Sequence, residues 1–141
     1  MISIEQIRPE LTWRLRQEVL YPAQKLYEME LDEDQEGFHF GAFTESKLVG
    51  IISLFQTGKS FQFRKLAVSS DYQKMGIGNA LLQRVEEFAE SENGTVIWCN
   101  ARVSAIGFYL KAGYVHTGKL FSKNGFDYEI LEKSLTRRSD H

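Results

Sequence analysis

Alternating apolar and polar positions predict seven strands along the chain. Ile2 and Ile4 alternate with polar neighbours, which indicates a first strand near the start. The other strand-like runs are rich in β-branched and aromatic residues and end at turn-forming residues; they cover residues 38–43, 48–56, 61–68, 95–99, 114–121 and 126–131. Because only short turns separate the runs 38–43, 48–56 and 61–68, those three should pair as antiparallel hairpins.

Apolar residues repeated at helical spacing predict four helices between these strands. Pro9 begins the first helix, in which Leu11, Leu15 and Val19 lie along one face. Pro22 ends this helix, because proline disfavours helical backbone at the residue before it. The other helices are predicted at residues 23–30, 79–92 and 104–111. The order of elements, β-α-(α)-β-β-β-α-β-α-β-β, predicts an α/β fold with a mixed sheet and helices packed on its faces.

Length and composition favour one compact domain. The chain has 141 residues, 43% of them hydrophobic, which suits a single domain over residues 1–135 with a polar tail at 136–141. The net charge of −2 and the pI of about 5.9 argue against a nucleic-acid partner. No run reaches membrane-spanning length, so no membrane partner is expected. Cys99 is the single cysteine, which excludes an internal disulfide and favours a cytoplasmic location.

The run from Gln73 to Gly78 leads from a predicted strand into a predicted helix and contains two glycines. Backbone N–H groups in a first helical turn have no intrahelical partner, and the helix dipole adds positive potential that stabilises an anion. Gly76 and Gly78 lack Cβ atoms and let a phosphate approach the main chain. The pattern alone also fits a loop that uses glycine only for its turn. Leu81 stands where a dinucleotide fingerprint needs its third glycine, and no P-loop string occurs.

Two motifs together resemble those of the GNAT acetyltransferase superfamily, and with the strand order they cover nearly the whole chain. The run from Arg64 to Gly78 is similar to a strand followed by the family's cofactor motif, Q/R-x-x-G-x-G/A. Residues 100–114 resemble its second signature, A-x-x-F-Y-x-K-x-G-F, with Tyr114 in place of the final phenylalanine. The resemblance implies the GNAT acyl-CoA N-acyltransferase fold, with a central, mostly antiparallel sheet flanked by helices. It also implies acetyl transfer from acetyl-CoA to a primary amine by direct attack, without a metal.

The resemblance further implies cofactor contacts for individual residues. The pantetheine arm would pair with the backbone of the strand at Leu66, Ala67 and Val68. The pyrophosphate would lie on the loop and helix start formed by Gln73, Lys74, Met75, Gly76, Ile77, Gly78 and Asn79. Asn100 and Ser104 would contact the pantetheine or adenine part. Arg102 occupies the position that matches the family's asparagine, so a strand-ending cap is the alternative for Asn100.

Tyr109 is the side chain to which the resemblance assigns chemistry. It would act as the general acid for the departing CoA thiolate, because a proton donor near the sulfur helps that group leave. The alternative is a packing tyrosine beside Phe108. Attack also requires a neutral amine and therefore a base, but the strand 61–68 contains Arg64 and Lys65 and no acid. The remaining base candidates are Glu18, Glu36, His39 and His116.

The acceptor is not identified by the sequence, and both a small-molecule amine and a peptide amine fit. The acidic run 28–36 is interpreted as a solvated loop or as a wall of the acceptor site that attracts a cationic amine. Arg14, Arg16 and Tyr21 are further candidates for that wall. The missing strand glutamate leaves a second hypothesis, a catalytically inactive GNAT-like module that binds acetyl-CoA or CoA as a sensor or interaction domain. Homodimers are common in the family, although no motif forces one.

Overall fold

The computed structural model describes residues 1–135, so the predicted tail at 136–141 lies outside the described residues. Seven strands are present, namely β1 (Ser3–Ile7), β2 (Phe38–Thr44), β3 (Lys47–Thr57), β4 (Ser60–Val68), β5 (Val96–Arg102), β6 (Val115–Lys123) and β7 (Phe126–Ser134). They form one sheet in the order β1-β2-β3-β4-β5-β7-β6. β4 and β5 pair in parallel, whereas β1–β2, β2–β3, β5–β7 and β6–β7 are antiparallel. The predicted mixed, mostly antiparallel sheet is confirmed.

Three helical segments connect the strands. The first, α1, changes its winding along residues 9–20, from a 3-10 turn (Pro9–Thr12) through an α-helical turn (Trp13–Leu15) to a π-helical turn (Arg16–Leu20). The others are α2 (Ile77–Ser91) and α3 (Ile106–Lys111). No helix within residues 1–135 is long and apolar enough to cross a membrane.

The helix predicted at residues 23–30 is reduced to a single 3-10 turn, Leu26–Met29. Only Met29 of this stretch is buried, so there is no apolar face that would stabilise a longer helix. Leu11 also differs from its prediction, because its side chain is 40% exposed. The 3-10 winding at the start of α1 shifts the phase of the helix, and Thr12, Leu15 and Arg16 are the buried residues.

One compact unit comprises Met1–Phe55 and Phe63–Phe88. On one face of its strands, Leu15 of α1 forms a buried cluster with Ile51 and Ala67. On the other face, α2 packs so closely that a Cβ added to Gly50 would lie 3.0 Å from the Leu81 side chain. This unit carries the predicted pyrophosphate loop and the second half of β4.

Within the described residues, the second compact unit comprises Gln56–Gln62 and residues 89–135. Its strands β5, β7 and β6 are neighbours in that order, and Cys99 pairs with the buried Leu131. A register shift between His116 and Leu120 produces an irregular segment in β6. This unit carries α3 and therefore Tyr109.

Candidate functional site

The loop between β4 and α2 has an open backbone at the position predicted for the pyrophosphate. Lys74 and Gly76 adopt left-handed backbone conformations, with φ angles of 64° and 83°, and such residues can turn neighbouring N–H groups toward a common anion. A Cβ atom added to Gly76 would meet no other atom within 4 Å. The loop therefore has room for a phosphate beside its main chain.

The first turn of α2 begins at Ile77, two residues earlier than predicted. The Ala80 N–H donates to the Gly76 carbonyl at 3.0 Å, and helix geometry leaves the N–H groups that precede Ala80 without partners in the helix. The Ile77 side chain is only 2% exposed and fixes this turn to the core. A contact between Ile77 and a cofactor would have to come from its backbone. Met75, Lys74 and Asn79 have exposed side chains.

Gln73 connects this loop to the end of β4. Its Nε2 atom donates to the Val68 carbonyl at 2.9 Å, so the side chain has a structural partner within the protein. The Ser69 N–H donates to the Val49 carbonyl at 2.8 Å, which holds the end of β4 against β3. The structure therefore brings the loop residues and the end of β4 together in one unit.

The strand residues predicted for pantetheine lie beyond the part of β4 that pairs with β5. Within the described chain, that parallel pairing joins Ser60–Gln62 to Val96–Trp98. Ala67 is buried in the core, whereas Leu66 and Val68 are half-buried. Backbone groups, rather than these apolar side chains, are what this stretch can offer to an amide-containing ligand.

Lys65 interrupts β4 with a left-handed backbone, with φ of 61°. This conformation is costly for a residue with a Cβ atom and needs support from its surroundings. The Lys65 Nζ atom donates a hydrogen bond to the Tyr21 hydroxyl and lies 4.4 Å from the centroid of that ring. An ammonium over an aromatic face is a stabilising arrangement. The side chain is thus engaged with the residue that follows α1.

Tyr109 lies on α3, and its ring contacts those of Phe108 and Tyr114 at centroid distances of 5.1 and 6.1 Å. Burial raises the pKa of the Tyr109 phenol above its usual value near 10, and Cys99 adds to the increase. Burial also raises the pKa of the Cys99 thiol to about 12. Both groups are therefore neutral at pH 7, and Tyr109 keeps the proton that a hydrogen-bond donor needs.

Asn100 and Ser104 both have exposed side chains in the same unit as Tyr109. Asn100 pairs with Ile130, and β5 continues to Arg102. The alternative interpretation of Asn100 as a strand-ending cap is therefore wrong. Ser104 lies in a 3-10 turn, Val103–Ala105, that connects β5 to α3.

His39, one of the base candidates, belongs to the core. Its Nδ1 atom lies 2.8 Å from Ser53 Oγ and its Nε2 atom 2.9 Å from the Asp34 carbonyl. Because Ser53 Oγ accepts a hydrogen bond from Arg16, we assign its own proton to Nδ1, and Nε2–H then donates to the carbonyl. Burial lowers the pKa of His39 below its usual value of 6.5. With 1% of its surface exposed, His39 cannot meet an acceptor amine.

Arg16 and Asp34 do not line an acceptor wall, as the sequence had suggested, because they neutralise each other in the core. Arg16 is 0% exposed and donates to both carboxylate oxygens of Asp34 at 2.8 and 3.0 Å. Burial acts to raise the pKa of Asp34, but hydrogen bonds from Arg16 and Leu31 hold it below its usual value of 3.8. The stripe of Leu11, Leu15 and Val19 gave no signal for the burial of Arg16, because adjacent residues point to different faces of a helix.

Two other acidic residues form ion pairs with arginines. Glu18 lies 3.1 Å from Arg14 on the surface of α1. Glu33, within the acidic run, lies 3.6 Å from Arg64. Glu36 is exposed at the end of the 3-10 turn Asp34–Glu36. Because Asp34 is buried, the acidic surface formed by residues 28–36 is smaller than the sequence indicated.

His116 is held by a carboxylate that the sequence analysis missed. Its Nδ1 atom lies 2.9 Å from Glu129 Oε1, and the Gly118 N–H donates to Oε2 at 3.0 Å. The hydrogen bonds from His116 and Gly118 lower the pKa of Glu129 below its usual value. This contact joins residues 13 positions apart across the irregular segment of β6, so no local sequence pattern predicts it.

Comparison with known proteins identifies the fold and the family. The acetyltransferase (GNAT) domain matches residues 5–135. The uncharacterized N-acetyltransferase YitI of Bacillus subtilis (strain 168) is 28% identical over 148 residues, with 99% of each chain covered. The ribosomal-protein-S18-alanine N-acetyltransferase from Escherichia coli superposes with a TM-score of 0.80 at 16% identity, covering 100% of this chain and 98% of that chain.

A second solved structure, an aminoglycoside 6'-N-acetyltransferase complexed with coenzyme A, has a TM-score of 0.77 at 21% identity. The similarity covers 98% of this chain and 99% of that chain. At such identities the two structures show that the fold is shared. The domain match over residues 5–135 carries the family assignment, and acetyl-CoA is the substrate that this family uses. This chain belongs to the GNAT acetyltransferase family.

Proposed function

We propose that this chain is an acetyl-CoA-dependent N-acetyltransferase that transfers the acetyl group directly to a primary amine. The observation that carries the proposal is the open loop at Lys74 and Gly76, which leads into a helix of 15 residues. A long helix with unpaired N–H groups at its start stabilises a pyrophosphate. The shared fold of a protein complexed with coenzyme A supports the same assignment.

In this proposal the main chain does most of the cofactor binding. Leu66 and Val68 offer backbone amides to the two amides of pantetheine, as a strand offers its edge to a peptide. The loop from Gln73 to Gly78 offers N–H groups to the pyrophosphate. Because Gln73 already holds the loop to Val68, the binding conformation is expected to exist before the cofactor arrives, which reduces the entropy lost on binding.

The proposed role of Tyr109 is to donate a hydrogen bond to sulfur as the C–S bond breaks and the N–C bond forms. A thiol has a reference pKa near 8.5, and the Tyr109 phenol has a pKa raised above 10. Full transfer of the phenol proton to a free thiolate is therefore uphill, unless the proton released by the amine replaces it. A hydrogen bond to the developing negative charge is the larger part of this acid role.

Calorimetric titration with acetyl-CoA, and with CoA for comparison, tests the binding part of the proposal. We expect saturable binding of one molecule per chain, and the substitution Gly78→Val should abolish it by filling the space beside the first turn of α2. The matched control is Gly107→Val, which places the same side chain on α3 where an added Cβ meets no atom within 4 Å. Tight binding by Gly78→Val would contradict the loop assignment.

Release of CoA in the presence of a panel of amines tests the chemical part. Tyr109→Phe should lower kcat roughly 100-fold, the lower range for loss of a proton donor, while the affinity for acetyl-CoA stays unchanged. An unchanged kcat would remove Tyr109 from the mechanism. Tight acetyl-CoA binding without turnover of any amine would favour the inactive binding module, and absence of binding by folded protein would reject both hypotheses.

A further inference from the structure

Arg102, the last residue of β5, lies on an aromatic surface formed by β6 and β7. Its guanidinium carbon is 4.0 Å from the centroid of the Phe126 ring. Phe121 and Tyr128 stack on each other across the hairpin, with ring centroids 5.0 Å apart and an interplanar angle of 8°. Arg102 pairs with Tyr128 and Tyr128 with Phe121, so these side chains share one face of the sheet. We call Arg102, Phe121, Phe126 and Tyr128 the Arg102 platform.

The positive charge of this platform is not neutralised by the protein within residues 1–135. None of the ion pairs formed by the described residues includes Arg102. Asp127 and Glu129 alternate with Phe126 and Tyr128 along β7, so their side chains point to the opposite face. Asp127 accepts a hydrogen bond from a serine at 2.6 Å, and Glu129 is held by a histidine.

The platform also has the apolar and accessible surface that a small organic ligand needs. Phe126 is 46% exposed, and Arg102 is exposed as well. The contact with Phe126 restricts the position of the guanidinium, whose planar N–H donors match the two oxygens of a carboxylate. A cation with a restricted position and no ion-pair partner among residues 1–135 is complementary to an external anion.

The position of Arg102 in the chain indicates that the platform serves the substrate rather than a remote partner. Arg102 lies between Asn100 and Ser104, the two residues of this unit that the family resemblance places beside the cofactor. Asn100 and Arg102 are two residues apart on β5 and project from the same face of the strand. Arg102 also stands where the family motif has asparagine, so a positive charge replaces a neutral amide at this position.

We propose that the Arg102 platform binds a carboxylate group of the acceptor. The acceptor would then be an amine that also carries a carboxylate and an apolar group, as an amino acid does. The assignment of this ligand as the acceptor rests on the proposed acetyl transfer. The carboxylate would pair with Arg102, and the apolar group would lie against the exposed Phe126.

The first test measures binding without catalysis, by calorimetric titration with 3-phenylpropionate and with the neutral 3-phenylpropionamide. The carboxylate should bind roughly ten-fold more tightly than the amide, as expected for one charge-assisted contact at an exposed site. Arg102→Gln should abolish that preference. Lys119→Gln removes the same charge from the same hairpin, outside the platform, and should leave the preference intact.

The second test compares initial rates with phenylalanine and with phenethylamine, which differ by the carboxylate. Arg102→Gln should lower kcat/KM for phenylalanine roughly ten-fold, and it should leave the values for phenethylamine and the KM for acetyl-CoA unchanged. A raised KM for acetyl-CoA in Arg102→Gln would overturn the proposal, because the arginine would then serve the cofactor.

The two tests separate failure of this inference from failure of the proposed function. Equal binding of carboxylate and amide, or a preference that survives Arg102→Gln, overturns the carboxylate site. An Arg102-dependent preference in the binding test, with no amine of the panel acetylated under conditions where acetyl-CoA binds, supports the carboxylate site and rejects the acetyl transfer on which its assignment to the acceptor depends.

Discussion

Arg16 and Arg102 are the same kind of residue in two regions of the molecule, and the structure surrounds them in opposite ways. Arg16 is 0% exposed and donates hydrogen bonds to both oxygens of Asp34 and to Ser53. Arg102 is exposed, lies on Phe126, and has no carboxylate partner among the described residues. A buried guanidinium without partners would be strongly destabilising, whereas water solvates an exposed one. The protein groups that pair with each guanidinium, rather than the residue type, distinguish Arg16, which stabilises the core, from Arg102, for which we propose ligand binding.

The substitution Asp34→Ala should have the largest effect on this comparison, because it leaves the Arg16 charge buried and unpaired. We expect the free energy of unfolding to fall by about 3–5 kcal/mol, measured by urea denaturation at pH 7. The matched control replaces both partners, Arg16→Met with Asp34→Leu, and should cost less than the single change. A double variant as unstable as Asp34→Ala would show that the pair itself, not the unpaired charge, determines stability.

Ser53→Ala should have an intermediate effect. The Ser53 hydroxyl joins Arg16 to His39, and its removal leaves His39 Nδ1 without this partner and Arg16 Nη2 with only its bond to Asp34. Such losses cost about 1–3 kcal/mol. Ser122→Ala, which removes an exposed hydroxyl bound to Asp127, should change the free energy of unfolding by less than about 0.5 kcal/mol. Equal effects of the two substitutions in urea denaturation would contradict the distinction between buried and exposed partners.

Acid should destabilise the protein through the groups around Arg16. The folded state holds the pKa of His39 below 6.5, so the unfolded chain binds more protons, and stability falls as pH decreases below 6.5. A group that stays unprotonated in the folded state costs about 1.4 kcal/mol for each pH unit below its unfolded pKa. The lowered pKa of Asp34 adds a further loss below pH 3.8 with the same sign.

Urea denaturation between pH 5 and pH 8 measures this slope. In His39→Gln the loss of stability between pH 6.5 and pH 5 should become smaller, although the variant starts from a lower stability. His116→Gln is the control, because that imidazole is half-exposed and its side chain lies on the surface. An unchanged slope in His39→Gln would assign the acid sensitivity to another group.

Arg102→Gln should have the smallest effect on stability, within about 0.5 kcal/mol of the unmodified protein. The reason is that loss of the exposed Arg102 guanidinium leaves no buried group unpaired. The same urea denaturation measures it. A loss of about 3 kcal/mol or more, the lower end of the range for a broken buried charge pair, would mean that Arg102 supports the hairpin and would remove the contrast with Arg16.

Periodicity in the sequence was sufficient to predict the order of the strands, three of the four predicted helices and the antiparallel pairing of β2 with β3. Two motifs then gave the family, and the glycine loop was predicted with its strand and its helix. These features depend on residues close together in the chain, so local patterns carry them. The boundary of α2 was predicted two residues late, because Gly78 was counted with the loop although it adopts the helical turn.

Side-chain partners far apart in the chain were not predictable in this way. Asp34 was counted with a solvated acidic run, since nothing in its neighbours indicates that Arg16, 18 residues earlier, neutralises it in the core. The contact of Arg102 with Phe126 likewise depends on the register of β5 and β7. The sequence did mark Arg102 as a departure from the family motif, but it gave no reason for the change.

The π-helical turn at the end of α1, Arg16–Leu20, has a consequence for chain length. A π-turn holds one residue more than an α-turn, so this part of α1 behaves as an α-helix with a single-residue insertion. A homologue that lacks that residue would wind regularly, and residues before and after the site would rotate relative to each other by about 100°. An alignment gap between positions 16 and 21 should therefore coincide with loss of the arginine or of the aspartate at position 34.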